Sequence, residues 1–233
     1  LDPAALFPFP LDDFQLEAVA ALNQGHSVVV SAPTGSGKTL IGEYAIHRAL
    51  AHGQRVFYTT PLKALSNQKL RDFREQFGAD RVGLMTGDLT ANREAPIVVM
   101  TTEIFRNMLY AEIEDGEDPL EGVEAVVLDE CHYMNDSQRG TVWEESIIHC
   151  PPAIQLVGLS ATVANAGQLT DWIEQVHGPA DLIVSDFRPV PLQFSFCSAK
   201  GLHPLLNDKG TGLHPNCKVW RAPKGHHRRG KNP

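Results

Sequence analysis

The chain has 233 residues, 42% hydrophobic and 21% charged, with a formal net charge of −8. That size fits one globular domain and the beginning of another, and apolar runs as short as Val28–Val30 exclude a helical membrane span. The charge is uneven: residues 199–233 carry eight Lys/Arg against one acid, Asp208, a net of +7, which leaves −15 for residues 1–198. An acidic body is a poor general surface for nucleic acid, so any grip on phosphates must be local.

In chain order, Leu11, Phe14, Ala18 and Leu22 recur at helical spacing. The apolar run His26–Ser31 then reads as a strand, followed by a Gly-rich stretch and a second helical pattern over Leu40–Leu50. Further strand-like runs are Arg55–Thr59, Arg81–Met85, Pro96–Met100, Val123–Leu128, Ile154–Leu159 and Leu182–Val184, and Leu70, Phe73 and Phe77 mark a helix between two of them. Several runs are apolar without alternation, as strands covered on both faces are. Strand and helix taking turns predicts an α/β fold: a three-layer domain with a mostly parallel central sheet and helices on both faces, spanning residues 1–190. Beyond Arg188, PVPLQFSF reads as one more strand; the Gly-, Pro- and Lys-rich remainder has no periodicity, so 191–233 reads as a linker and basic, disordered tail.

The residues that end the strands carry the chemistry. SAPTGSGKT, TTPLKAL, TTE, DECH and SAT each follow an apolar run. In an open parallel sheet those ends share one edge, where ligands bind. Ala32, Pro33, Thr34, Gly35, Ser36, Gly37, Lys38 and Thr39 lie between a strand and a helix. Glycines there let backbone N–H groups turn around phosphate oxygens at the positive end of the helix, Lys38 reaches the β and γ phosphates, and Thr39 offers its hydroxyl to Mg²⁺. Ala32 stands where the plain phosphate-loop pattern has Gly. A Gly-rich structural turn is the plainer alternative.

Asp129, Glu130, Cys131 and His132 follow one another. Adjacent residues at a strand end point in different directions, so the four cannot readily surround one zinc ion. With a triphosphate and Mg²⁺ at the same edge, Asp129 suits the ion, partly through water, and Glu130 suits the attacking water. Acids that merely cap a turn are the structural alternative. Cys131, Cys150, Cys197 and Cys217 are widely spaced without CxxC, so reduced thiols are expected. The start from Leu1 lacks the features of a secretion signal, and an intracellular, soluble protein is expected, an organelle included if Leu1 is a processed start.

APTGSGKT, DECH and SAT (Ser160–Thr162), in that order, resemble motifs I, II and III of superfamily-2 helicases. FPLDDFQ, PLKALSNQK, LMTGD, TTEIFRNML, HYMND, RGTVWEE and RPVPL make the chain similar, over residues 7–196, to the superkiller-type and exosome-associated DExH RNA helicases. The resemblance implies a P-loop NTPase with a RecA-like fold, ATP and Mg²⁺ as cofactors, and catalysis through Lys38, Asp129, Glu130 and His132. It implies that Gln15 reads the adenine edge with Phe9 near the base; a helix-start residue and a core aromatic are their structural alternatives. It implies that His132, Ser160 and Thr162 couple nucleotide state to RNA grip. RNA, single-stranded or as a tailed duplex and without sequence preference, would meet Pro61, Leu62, Lys63, Gly87, Asp88, Thr101, Thr102 and Glu103. Lys63 has the alternative of a solvated surface charge, and Trp143 that of packing.

No run beyond Thr162 resembles QxxGRxGR, the arginine-bearing motif of a second RecA-like domain. The chain is therefore expected to be part of a longer ATP-dependent RNA helicase, with that domain in cis, and alone to bind ATP with little turnover. A DNA translocase of the same superfamily and a non-hydrolysing, nucleotide-gated RNA-binding module are the competing functions. His214, Cys217, His226 and His227 match no standard finger, so no zinc is expected.

Overall fold

The computed structural model describes residues 1–110, 118–132, 140–162, 164–198, 201–207, 209–215 and 217. They divide into two compact units, Leu1–Pro189 and Val190–Pro233.

The first unit is built on an eight-stranded sheet. Its strands are β1 (Ser27–Ser31), β2 (Arg55–Thr60), β3 (Val82–Met85), β4 (Thr90–Ala91), β5 (Ile97–Thr101), β6 (Val123–Asp129), β7 (Gln155–Ser160) and β8 (Ala180–Val184). The order across the sheet is β4-β3-β5-β2-β6-β7-β1-β8, and every neighbouring pair is parallel except β3 with β4. The seven longer strands coincide with the runs read from sequence to within two residues. The two-residue β4 has no run of its own and was not expected; the turn closed by Thr86 N–H donating to Leu89 O (2.8 Å) brings it back against β3.

Among the described residues, six α-helices cover the sheet: α1 (Asp13–Asn23), α2 (Thr39–Ala51), α3 (Lys63–Phe77), α4 (Thr102–Tyr110), α5 (Gly140–His149) and α6 (Ala166–Val176). Alternate strand residues divide between two cores, as the two-residue period requires. Val28, Val30, Val56, Tyr58, Val127 and Leu159 pack with Phe14, Leu22, Ile41, Tyr44 and Phe73 of α1, α2 and α3 on one face. Val29, Phe57, Val98, Val126 and Leu156 pack with Phe105, Trp143 and Ile173 of α4, α5 and α6 on the other. Trp143 is thus a core residue, 1% exposed. These are the three layers expected of a RecA-like helicase domain, and sheet strands buried on both faces are why the runs lack alternation.

The helix behind the phosphate loop lies unusually close to the sheet. A Cβ on Gly42 of α2 would meet Tyr58 Cε2 at 3.1 Å and Val127 Cγ1 at 3.3 Å, so a larger residue here would require those side chains to give way by a few tenths of an ångström. No helix among the described residues is long and apolar enough to cross a membrane.

The second unit holds an antiparallel pair, β9 (Ser195–Ser198) and β10 (Gly201–Pro204), and a bridge between Leu206 and Leu213. The sequence reading has linker here after one strand. The difference arises because a hairpin needs only short local pairing, with Gly201 at φ 119°, and leaves no long-range apolar period in the sequence. His226 and His227 of the tail lie outside the described residues, as do Tyr133–Arg139 of the motif region.

Candidate active site

All seven parallel strands end on one edge, so the five polar clusters share it. Strand β7 lies between β6, which ends in Asp129, and β1, which leads into the phosphate loop. Ser31 is in register with Ser160 and Asp129 with Leu159. Ala32 N–H donates to Ser160 O at 3.2 Å, tying the loop to the SAT stretch.

The loop is shaped for oxygens. Gly35 and Gly37 take φ of 84° and 86°, the left-handed backbone from which anion-binding concavities of successive N–H groups are built. Lys38 caps α2 and is buried, 6% exposed, and Thr39 begins the helix and is half-buried. Ser36 Oγ is buried without a hydrogen-bond partner. A buried hydroxyl is rarely left so, and an orphan between two glycines of left-handed backbone suits a ligand oxygen. Pro33 is buried, whereas Thr34 is exposed and its carbonyl accepts from Arg188 at 3.4 Å.

Gln15 is buried, and both ends of its amide are engaged. Its Oε1 accepts from Asp12 N–H at 2.9 Å, which starts α1, and its Nε2 donates to Gly37 O at 3.1 Å. The same Nε2 stands 2.8 Å from where a Cβ on Gly37 would lie. Gln15 therefore joins helix start and loop, keeping one N–H and one lone pair for a base edge. Phe9 is 53% exposed, its ring 6.1 Å from that of Phe7, so it is no core aromatic and offers a face for stacking.

Asp129 is buried at the end of β6 and held at both oxygens. Oδ1 accepts from Glu130 N–H at 2.9 Å; Oδ2 accepts from the Tyr58 phenol at 2.8 Å and lies 3.7 Å from Lys69 Nζ. Burial, with Asp129 next, raises the Tyr58 pKa well above the usual phenol value, so Tyr58 remains a donor. Glu130 has φ 57°, a left-handed conformation that costs a non-glycine residue about 1–3 kcal/mol. Its side chain meets His132, whose Nδ1 is 3.2 Å from Glu130 Oε2.

The same Nδ1 lies 3.4 Å from Ala161 N–H. One ring nitrogen accepts from an amide or donates to a carboxylate, not both. The His132 tautomer thus selects between Glu130 and the SAT stretch. Ser160 is buried and donates to Ala161 O at 2.8 Å; Thr162 is exposed. Cys131 packs in the opposite core, where burial pushes its thiol up to about 12. Asp129 and Cys131 therefore serve different faces of the sheet.

The residues expected to meet RNA are only partly at the surface. Lys63 pairs with Asp88, and Gly87 adjoins it, so two of the three stretches meet. Lys63 and Asp88 are both exposed, so this is an ion pair at the surface. Pro61 and Leu62 are half-buried. Thr101 and Thr102 are buried, and Thr102 Oγ1 donates to Thr60 O at 3.3 Å, leaving Glu103 as the exposed side chain of that stretch. Sequence reasoning missed Tyr58, Lys69 and Arg188 as parts of this edge. Tyr58 looks like any core aromatic, and Lys69 and Arg188 like solvated cations.

The sequence profile of DEAD/DEAH box helicases matches residues 12–169. The chain is 54% identical over 212 residues to the DExH-box ATP-dependent RNA helicase DExH15, chloroplastic, of Arabidopsis thaliana, covering 90% of this chain and 18% of that protein. It is 53% identical over 203 residues to the probable helicase HelY of Mycobacterium leprae, covering 87% of this chain and 22% of that one. The chain thus spans about a fifth of the length of the curated relatives it matches. Among solved structures, the helicase Lhr of Mycobacterium smegmatis bound to ssDNA and AMP-PNP superposes with a TM-score of 0.62 at 26% identity, over 82% of this chain and 27% of that one. The chain belongs to the DEAD/DEAH box helicase family.

Proposed function

We propose that this chain is the first motor domain, residues 1–190, of an ATP-dependent RNA helicase, with residues from 191 onward leading toward a second RecA-like domain in cis. The observation that carries the nucleotide part is the orphaned Ser36 hydroxyl between Gly35 and Gly37, both in the left-handed region, on the edge that Asp129 also reaches. MgATP bound there would supply the transferable phosphoryl group and a hard cation to neutralise its developing charge.

The residues fit that group. Gly35, Ser36, Gly37 and Lys38 would hold the phosphates, Thr39 and Asp129 the cation, and Gln15 with Phe9 the base. Glu130 would take a proton from the attacking water. His132, in contact with Glu130 and facing Ala161, would report the state of that carboxylate to Ser160 and Thr162. Pro61–Lys63, Gly87–Asp88 and the stretch containing Glu103 would meet RNA through backbone groups and Lys63, independent of base sequence.

RNA is preferred over DNA as substrate because the relative named an RNA helicase is 54% identical, whereas the structure bound to ssDNA is 26% identical. An intracellular location is inferred with it. The test is ATP hydrolysis by the longer protein with RNA and DNA as competing activators. Stimulation by RNA supports the reading, and stimulation by DNA alone moves the chain to a DNA translocase. In the same protein Glu130→Gln is expected to retain ATP and lower turnover by at least about 10²-fold; turnover equal to wild type removes Glu130 from the chemistry. No ATPase activity under saturating RNA would instead mark a nucleotide-gated binding module.

A further inference from the structure

Lys69 lies six residues beyond Lys63 on α3, on the side that meets the sheet. Its ammonium stands 5.3 Å from the Tyr58 ring centroid, 5.9 Å from that of Phe73 and 3.7 Å from Asp129 Oδ2. Its side chain is only 17% exposed. Phe73, one helical turn on, supports the stem, an i to i+4 pairing in which the aromatic is fully buried. A lysine in such surroundings is stabilised by a fixed anionic partner, and Asp129, itself 9% exposed, is the carboxylate within reach.

Two groups from different elements therefore converge on Asp129 Oδ2: the Tyr58 phenol of β2 donates a hydrogen bond, and the Lys69 ammonium of α3 stands beside it as an ion-pair partner at 3.7 Å. The Glu130 amide fixes the other oxygen. A hydrogen bond to each oxygen, with the Lys69 charge beside one of them, restricts the carboxylate. Outer contacts of this kind orient metal-holding carboxylates elsewhere in proteins, and their loss weakens metal affinity.

We propose that Lys69, assisted by Tyr58, is a positioning residue that holds Asp129 in the orientation needed to receive Mg²⁺ with the nucleotide. The proposal rests on the nucleotide-site reading above. It also gives α3 two roles, because its first turn carries Lys63 of the loop assigned to RNA while its second reaches the carboxylate assigned to Mg²⁺. A shift of this helix when RNA engages Pro61–Lys63 would be felt at Asp129.

The test is binding of the fluorescent nucleotide mant-ADP to the 233-residue chain across a Mg²⁺ titration, with wild type, Lys69→Met, Lys69→Arg and Tyr58→Phe, alongside Tm without ligand. Lys69→Met is expected to raise the Mg²⁺ concentration for half-maximal binding about tenfold, in the range seen when outer contacts of metal ligands are removed. Binding in EDTA should be unchanged. Tyr58→Phe should shift it less and in the same direction, and Lys69→Arg should restore most of the wild-type response. A lowered Tm with the Mg²⁺ response unchanged makes Lys69 merely structural and overturns the proposal. So does a lower Mg²⁺ requirement in Lys69→Met, which would make Lys69 a competitor of the cation. Absence of Mg²⁺-dependent binding in wild type would overturn the nucleotide-site reading and this inference together; a wild-type response with an unshifted Lys69→Met overturns the inference alone.

Discussion

Both ends of the central sheet's strands carry polar groups, and they differ in how those groups are satisfied. At the amino ends of the strands, Arg48 is buried and all its contacts are closed: Nε donates to Glu124 at 2.6 Å, and the other nitrogens reach Leu22 O and Gln155 Oε1. Gln155 in turn donates to His26 O at 2.8 Å, and His52 meets the other oxygen of Glu124. At the carboxyl ends, Ser36 Oγ has no partner, Glu130 is held in a left-handed conformation, and His132 Nδ1 faces two groups of which it can serve one. A closed network fastens helix to sheet; an open one has capacity left for a ligand.

That contrast can be broken from either side. The largest effect on folding should come from the closed edge. Arg48→Met takes the donor from Glu124, Leu22 O and Gln155 Oε1, and loss of about 3–5 kcal/mol is expected in urea unfolding, with nucleotide affinity of the folded fraction unchanged. At the open edge the order reverses. Lys38→Ala should leave the unfolding midpoint nearly in place while weakening MgATP by roughly 1.5–3 kcal/mol, about ten- to a hundredfold, because a charge-assisted contact is lost; calorimetry reads this directly.

A smaller effect separates loop shape from loop charge. Gly37→Ala forces a Cβ to within 2.8 Å of Gln15 Nε2 at φ 86°. It should cost about 1–2 kcal/mol from the left-handed backbone, and nucleotide should bind more weakly as Gln15 is displaced. Equal affinity would detach Gln15 from the site. The smallest effect concerns His47, placed between Phe7 and Phe77. Burial lowers its pKa from 6.5, with Glu43 opposing. The unfolded chain therefore binds the proton more readily, and stability is expected to fall as pH drops through about 6.5. His47→Phe should flatten that part of the Tm profile between pH 7.5 and 5.5.

Much of this was legible in the sequence for one physical reason. Strands such as Val28–Val30 and Val126–Leu128, covered on both faces, must be apolar at every position, and the loops that follow must carry whatever the sheet edge binds. The strand β4 was hidden because two residues make no pattern, and the β9–β10 hairpin because its pairing is local. Gln15 reads as a helix start and is one, yet its other amide end reaches the loop 22 residues away. Tyr58 and Lys69 were invisible as site residues, since their role depends on α3 and β2 meeting β6. The buried Thr101 and Thr102 show the reverse limit: a matching motif does not reveal which of its side chains faces solvent.

The most direct test is a crystal structure of the chain with Mg²⁺ and AMP-PNP. The account predicts phosphates against the backbone of 35–39, Ser36 Oγ given a partner, and the cation served by Thr39 and Asp129. A nucleotide bound elsewhere, or a cation that leaves Asp129 paired only with Tyr58 and Lys69, would contradict it.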